Sequence, residues 1–367
     1  MSTPKTSLHT YFESFPDHRL NRNKKHLLSD IIILSVLAVL SGAESWDSIE
    51  AFGKAKAGFL QTILKLPNGI PSHDTINRVF SGIRPKLFEM MFVQWTHSLK
   101  KEGINKEVVS IDGKCVKGSK DSFHEKSPIH MVSAWAADNQ MVLGQLKVDE
   151  KSNEITAIPL LLDLLDIDGS IITIDAMGTQ TRIAEKIIEN GADYILSLKG
   201  NQKELLEQVE SRFTHQRPET VDQQTEKGHG RIETRRCEVI TNLEYVDNRT
   251  DWKNMQSIIK ITSLRDTGKK QETETRYYIS SLGEHAKDFN TYIRQHWGIE
   301  NKLHWTLDVV FDEDRQRKRD RNAAQNFSFI RKIALNILKK DKCKSSLVTK
   351  RLKAGWDQKY LVNLLKV

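Results

Sequence analysis

The sequence predicts an α/β fold: a mixed sheet with helices on both faces, preceded by a helical N-terminal domain and interrupted by a β-rich insertion. Three observations lead there. Up to about residue 100 the apolar positions recur at helical spacing. From Lys106 the texture changes to short β-rich runs, the first three of which read as a meander. After that meander, helix and strand alternate, which calls for parallel strands with helices packed across them.

Composition narrows the class before any motif is read. The chain has 367 residues, 38% apolar and 28% charged, an ordinary globular mixture with length for two or three cores. Lys and Arg number 56 against 48 Asp and Glu, a net charge of +8. That balance favours a polyanionic partner, because phosphates attract both side chains and counterion release adds affinity; a merely basic soluble protein is the bland alternative. Three cysteines, Cys115, Cys237 and Cys343, form no C-x-x-C pair, so neither a disulfide framework nor a cysteine zinc site is expected. The opening MSTPKTSLHTYFESF lacks the pattern of a signal peptide. Ile31 to Ala43 (IIILSVLAVLSGA) is the most apolar stretch, but a spanning helix needs about 20 such residues, and Asp30 and Glu44 bracket it. A buried helix and a cytoplasmic, nucleoid-associated protein are expected, with no membrane partner.

In chain order, Trp46 to Leu66 continues the helical pattern up to a Pro67-Asn68-Gly69 break. Ser72 reads as the N-cap of a helix carrying Ile76, Val79 and Phe80 inward. Pro85 to Leu99 follows as a helix with Phe88, Met91, Phe92 and Trp95 as core. Strands are expected at Glu107 to Ile111, Met131 to Ala137 and Met141 to Val148, the last two joined by a turn at Asp138-Asn139-Gln140. Helix Ile155 to Leu165, strand Ser170 to Ile174, helix Gln180 to Asn190 and strand Tyr194 to Leu198 complete the first part of the sheet domain, residues 106–200. Residues 201–287 read as an insertion with strands at Arg236 to Ile240, Ser257 to Thr262 and Glu274 to Ser281. The rest, 288–345 and a tail at 346–367, is expected to be helical, with the basic run Arg315 to Arg321 (RQRKRDR) in its middle.

Two aspartates carry the chemistry. Asp112 and Asp175 each follow an apolar β run, VVSI-D-GK and IITI-D-AMG. Ends of neighbouring strands lie about 5 Å apart. Paired carboxylates there repel unless a cation intervenes, and two Mg2+ ions about 4 Å apart would make a phosphodiester-cleaving site. Alternatively each Asp only terminates a strand. Downstream, Glu300, His304 and Asp308 are spaced by four and share one helix face, beside an apolar face of Ile299, Leu303 and Leu307. That stripe suits a helix aiming a carboxylate at metals, or equally an amphipathic helix with solvated charges. Lys114, two residues beyond Asp112, points to the same side and is a candidate phosphate contact or a plain surface lysine.

Four motifs now stand in order along the chain: IDGK at 111–114, IDAMGTQ at 174–180, KGHGRIETRR at 227–236, and HWGIENKLHWTLDVVFDED at 296–314 followed by RN at 321–322. Together with YFESFPDHR and PSHDTINRVF near the start, they resemble the H-repeat-associated insertion-sequence transposases of the wider "IS four"-type DDE group. The resemblance spans nearly the whole chain. It implies a ribonuclease-H-like core with Asp112, Asp175 and Glu300 as metal-binding triad, two Mg2+ or Mn2+ ions, double-stranded DNA as partner and a homodimer on paired ends. Residues 1–100 would then recognise DNA. The wider group's signature Tyr-x2-Arg-x3-Glu-x6-Lys is not kept: aligned on Glu300, the chain has Ile293, His296 and Leu307 in place of Tyr, Arg and Lys.

The expected activity is metal-dependent DNA cleavage at element ends and strand transfer. The alternatives are an inactive or repurposed DNA-binding relic, and a hybrid nuclease, which would need neither the first 100 residues nor the insertion. Candidate DNA contacts are Lys114, His229, Arg231, Arg235, His296, His304, Arg315, Arg317, Lys318, Arg319 and Arg321.

Overall fold

The structure is a computed structural model and describes residues 7–17, 19–21, 24–101, 104, 106–121, 123, 126–149, 152–228 and 230–366. The N-terminal region is helical: α1 (Ser7–Glu13), α2 (Leu28–Leu40), α3 (Trp46–Ala55), α4 (Ala57–Leu60), α5 (His73–Gly82) and α6 (Pro85–Leu99). Every side chain of α2 from Ile31 to Leu40 is buried. This is why the run is apolar all round: it is the centre of a helical core rather than a surface helix. Each such Ile or Leu contributes roughly 1.5–3 kcal/mol of burial. Ser72 caps α5 as expected, its Oγ accepting from the Thr75 N–H at 3.3 Å. The expected helix from Trp46 to Leu66 is broken at Lys56 into α3 and α4.

The strands and their crossing helices follow: β1 (Val108–Val116), β2 (Ile129–Ala136), β3 (Met141–Lys147), α7 (Glu154–Leu164), β4 (Ile171–Ile174), α8 (Thr181–Glu189), β5 (Asp193–Leu198) and α9 (Lys203–His215). Next come β6 (Thr220–Gly228), β7 (Arg231–Ile240), β8 (Ser257–Asp266) and β9 (Gln271–Ser280). All join one nine-stranded sheet in the order β3-β2-β1-β4-β5-β9-β8-β7-β6. The β1, β2 and β3 strands form an antiparallel meander, while β4 lies parallel to β1 and β5 parallel to β4. That arrangement is the ribonuclease-H-like core the resemblance implies. Residues 201–287 do not build a sheet of their own. Antiparallel pairing of Leu198 with Tyr277 adds β9 to β5, and β8, β7 and β6 extend the same surface.

Side chains alternate across the sheet. Val109, Ile111, Ile172 and Ile174 pack with Ile158 and Leu161 of α7 and Ile183 and Ile187 of α8. Val108, Ile171 and Ile195 face the other way, onto Phe289 and Ile293 of α10 (Ala286–His296). After α10 the chain makes a π-helical segment, Ile299–His304, then α11 (Trp305–Val309), α12 (Ala323–Lys340), α13 (Leu347–Trp356) and α14 (Gln358–Leu364). The basic run is not the middle of a helix: from Gln316 to Asn322 the backbone is irregular.

A third core joins both ends of the chain. Phe88 of α6 stacks on Phe329 of α12 with ring centroids 5.1 Å apart, and Ile299, Leu303 and Leu307 belong to the same buried cluster. The outer strand β3 is tied to this layer by side chains that bond its backbone: Asn336 of α12 with both Val142 groups at 2.8 and 2.9 Å, and Thr96 of α6 with the Leu143 carbonyl at 2.8 Å. Covering an edge in this way removes a template for unwanted pairing. Among the described residues no helix is long and apolar enough to cross a membrane.

Candidate active site

The parallel ladder between β1 and β4 ends on the pair Ile111 and Ile174. The next residue of each strand is an aspartate, so Asp112 and Asp175 stand at the same level on adjacent strands. β4 stops there because the Asp175 carboxylate accepts the backbone N–H groups of Met177 at 3.1 Å and Gly178 at 3.3 Å, bending the chain into a turn. β1 does not stop. It continues to Val116 because β2 still pairs with it, Asp112 opposite Ser133. The expectation that both aspartates end their strands therefore holds for Asp175 alone; Asp112 is exposed to the site because its β4 neighbour has turned away. One layer below, Thr173 donates to Ser110 Oγ at 3.1 Å and lies 2.9 Å from His296 Nδ1.

The segment carrying Glu300 lies along β1. His304 Nδ1 is 3.5 Å from Asp112 Oδ2, and Asp308 Oδ1 is 2.5 Å from Lys114 Nζ. Four residues along the helical segment thus match two along the strand, and Glu300, four residues before His304, comes close enough for its charge to act on Asp112. Glu300 itself is exposed, while Ile299, Leu303 and Leu307 are buried beneath it. The stripe read from the spacing is present, although the segment is π-helical over Ile299–His304 rather than a plain α-helix. Such widened turns inside helices recur at functional sites.

Burial pushes the Asp112 carboxyl up to about 7; the Gly113 N–H opposes this, while the charges of Asp175, Glu154 and Glu300 add to it. Glu154 had no signal in the sequence. It opens α7, lies 2.5 Å from His130 Nε2, and its carboxylate packs so closely on Gly113 that a Cβ at that glycine would collide with both side chains. Only the absence of a side chain at Gly113 lets these groups approach the backbone beside Asp112. Hard carboxylate oxygens converging without enough counter-charge are the donor chemistry that suits a divalent cation. The buried His304 Nε2 beside them has no hydrogen-bond partner. In this respect the residues fit the implied metal. Among the described residues, however, no group of three or more His, Cys, Asp or Glu side chains is gathered as a ready-made metal site.

Residues 104–337 match the family model described as "Transposase DDE domain", and residues 9–96 match the "DDE_Tnp_1-associated" model. The chain belongs to the DDE transposase family. Its relatives include "H repeat-associated putative transposase YhhI" of Escherichia coli (strain K12), 44% identical with 95% of each chain covered. Another is "Putative transposase YncI" of Escherichia coli O157:H7, 42% identical over 98% of this chain and 94% of that one. A cryo-EM structure of a piggyBac transposase synaptic complex with hairpin DNA aligns at a TM-score of 0.46 and 10% identity, covering 98% of this chain and 77% of that one. At that distance the likeness carries no information on chemistry.

Within this DDE transposase chain several expected DNA contacts are turned inward. Lys318 is buried, with Nζ bonded to the Glu44 carbonyl at 2.6 Å and Gln316 Oε1 at 2.8 Å and lying over the Phe327 ring. Its burial, with Arg331 nearby, lowers the ammonium to about 6. Arg235 is also buried and paired to Glu226 at 3.0 Å. Lys114 is held by carboxylates rather than facing solvent. Burial lowers His296 to about 4 and His304 to about 3, which disfavours a cationic contact from either ring. Lys318, Arg235 and Lys114 are corrected for one reason: a desolvated cation must find protein partners or give up its charge, and all three are turned onto the protein. Arg315, Arg317, Arg319 and Arg321 are exposed, and Arg231 is half-buried beside Glu233 at 3.8 Å. His229 lies outside the described residues.

Proposed function

We propose that this chain is a catalytically competent transposase that cuts DNA at the ends of its element and joins the freed 3′-OH to target DNA. The observation that carries the reading is the placement of Asp112 and Asp175 side by side beyond the Ile111–Ile174 pair, with the Glu300 segment laid along β1. In the first step water attacks the phosphorus and the P–O3′ bond breaks, leaving a 3′-OH and a 5′-phosphate. In the second, that 3′ oxygen attacks a target phosphorus and displaces a target 3′ oxygen. Asp112, Asp175 and Glu300 would hold two Mg2+ or Mn2+ ions, which when bound supply activation of the nucleophile and stabilisation of the leaving oxygen. Asp112 is fixed by pairing with Ser133 and Asp175 follows directly on the last paired residue of β4, so the sheet rather than a long loop sets their positions. No Ser or Tyr nucleophile is required.

The test uses the purified full chain, a duplex carrying the inverted repeats that flank its gene, and a target plasmid. Cation-dependent end cleavage and a joined product are expected, both abolished by a chelator. Tight, specific end binding with no cleavage in either Mg2+ or Mn2+ would make the chain a DNA-binding relic instead. One relative, matched over only 18% of this chain, is named "Inactive transposase YbfQ".

The exposed arginines of the run give a further expected result. Reversing Arg317 and Arg319 to Glu should weaken binding to all DNA sequences and lower the salt slope by about one for each phosphate no longer neutralised. Unchanged binding at moderate salt would remove the run from the DNA surface. Lys318→Ala should instead lower thermal stability, since the buried side chain donates to the Glu44 carbonyl and packs on the Phe327 ring.

A further inference from the structure

Lys114 leaves β1 on the same side as Asp112, two residues further on. Its Nζ lies 2.5 Å from Asp308 Oδ1, 2.8 Å from Glu313 Oε2 and 3.6 Å from Asp314 Oδ1. The lysine side chain is 12% exposed and that of Glu313 1%. Glu313 is not free to swing: its other oxygen accepts from Ser328 Oγ at 3.4 Å and faces Arg331 Nη1 at 3.7 Å, both on α12. Burial opposes the charge on Glu313, but Lys114, Lys332 and Arg331 outweigh it and hold the carboxyl at about 2.

Asp308 and Glu300 share one helical segment, and Lys114 and Asp112 share one strand. Pinning Asp308 to Lys114 therefore fixes how far along β1 the Glu300 segment sits. Water has little access to Lys114 and Glu313, so the ammonium is held in one place, and Asp308, 35% exposed, docks onto a fixed partner. We propose that Lys114, held by Glu313, is a positioning residue that sets Glu300 against Asp112 and Asp175 by clamping Asp308. The proposal rests on the transposase reading above. It assigns Lys114 a task other than DNA contact and gives Glu313 a role that no motif suggested.

The full chain is tested as Lys114→Met, Lys114→Arg and Asp308→Asn, with Asp112→Asn alongside. Single-turnover end cleavage, DNA binding, thermal unfolding and Mn2+ binding followed by electron paramagnetic resonance are measured for each. Lys114→Met should cut roughly 100-fold more slowly, the scale of a misplacement of about 1 Å in a reacting group. It should also bind Mn2+ more weakly while keeping end binding. Lys114→Arg should recover most of both. Asp308→Asn, which touches only the half-exposed helix end of the clamp and leaves the buried Lys114–Glu313 pair intact, should cut about tenfold more slowly with the same weakening of Mn2+. Wild-type cleavage and Mn2+ affinity in Lys114→Met, or in Asp308→Asn where Lys114→Met does not fold, would overturn the clamp. So would a rate loss that only tracks the fraction of folded protein. If Asp112→Asn is inactive in that case, the clamp alone fails; if Asp112→Asn still cuts, the transposase reading fails.

Discussion

Asp112→Asn and Asp175→Asn should each abolish cleavage and strand transfer while leaving DNA binding intact. Asparagine keeps the size and one oxygen but discards the charge that would hold a divalent ion. A loss of at least about 10²–10³-fold is expected, the scale for removing one preorganised electrostatic contact to the transition state. The structure adds a second, opposite effect on stability. The ionised Asp112 carboxylate is disfavoured by burial and by Asp175, Glu154 and Glu300. A group whose carboxyl is raised in the fold is destabilising in its charged form, so neutral Asn removes a cost. In the absence of divalent cations Asp112→Asn should melt at or above the wild-type temperature, a trade of activity for stability common to charged sites. Gel-based cleavage, a DNA-binding isotherm and a melting curve on the same preparations decide it. Undiminished cleavage by either variant would end the two-metal reading.

Glu300→Gln should be nearly as severe, and clearly worse than Asp308→Asn. On spacing alone the two acids compete for the third ligand position. They lie two turns apart, about 12 Å by helical rise, so they cannot both serve ions about 4 Å apart. The structure separates them. Asp308 is committed to Lys114 at 2.5 Å, while Glu300 is exposed and its charge reaches Asp112. Cleavage in Mg2+ and in Mn2+ by purified variants of equal thermal stability gives the ranking. If Asp308→Asn proved the more damaging, the third ligand would move to Asp308.

Sequence reading missed β6 altogether. Its residues, TVDQQTEKG, show no apolar run because the strand lies at the sheet's outer edge with most side chains exposed. For the same reason β8 and β9 each extend beyond the apolar stretches that announced them. Local pattern reports burial rather than hydrogen bonding, so a strand half in solvent is legible only where it is buried.

What the sequence by itself determined is local and periodic. Apolar runs of β-branched residues ending at Ile111 and Ile174 placed Asp112 and Asp175 at the ends of their apolar runs. Spacing by four put Glu300, His304 and Asp308 on one face, and the unbroken apolar stretch at Ile31 to Leu40 marked a core helix. Only the tertiary structure decided which charges meet. Lys114 and Glu313 are 199 residues apart in the chain, and Lys318 and Glu44 274 apart. The basic run illustrates the limit: its arginines at 315, 317, 319 and 321 are exposed while Lys318 between them is buried. No composition or period distinguishes these neighbours, because a cation's environment is set by the carboxylates and rings that folding brings from elsewhere. The same holds for Glu154, an ordinary helix-opening acid until the sheet sets it against Gly113.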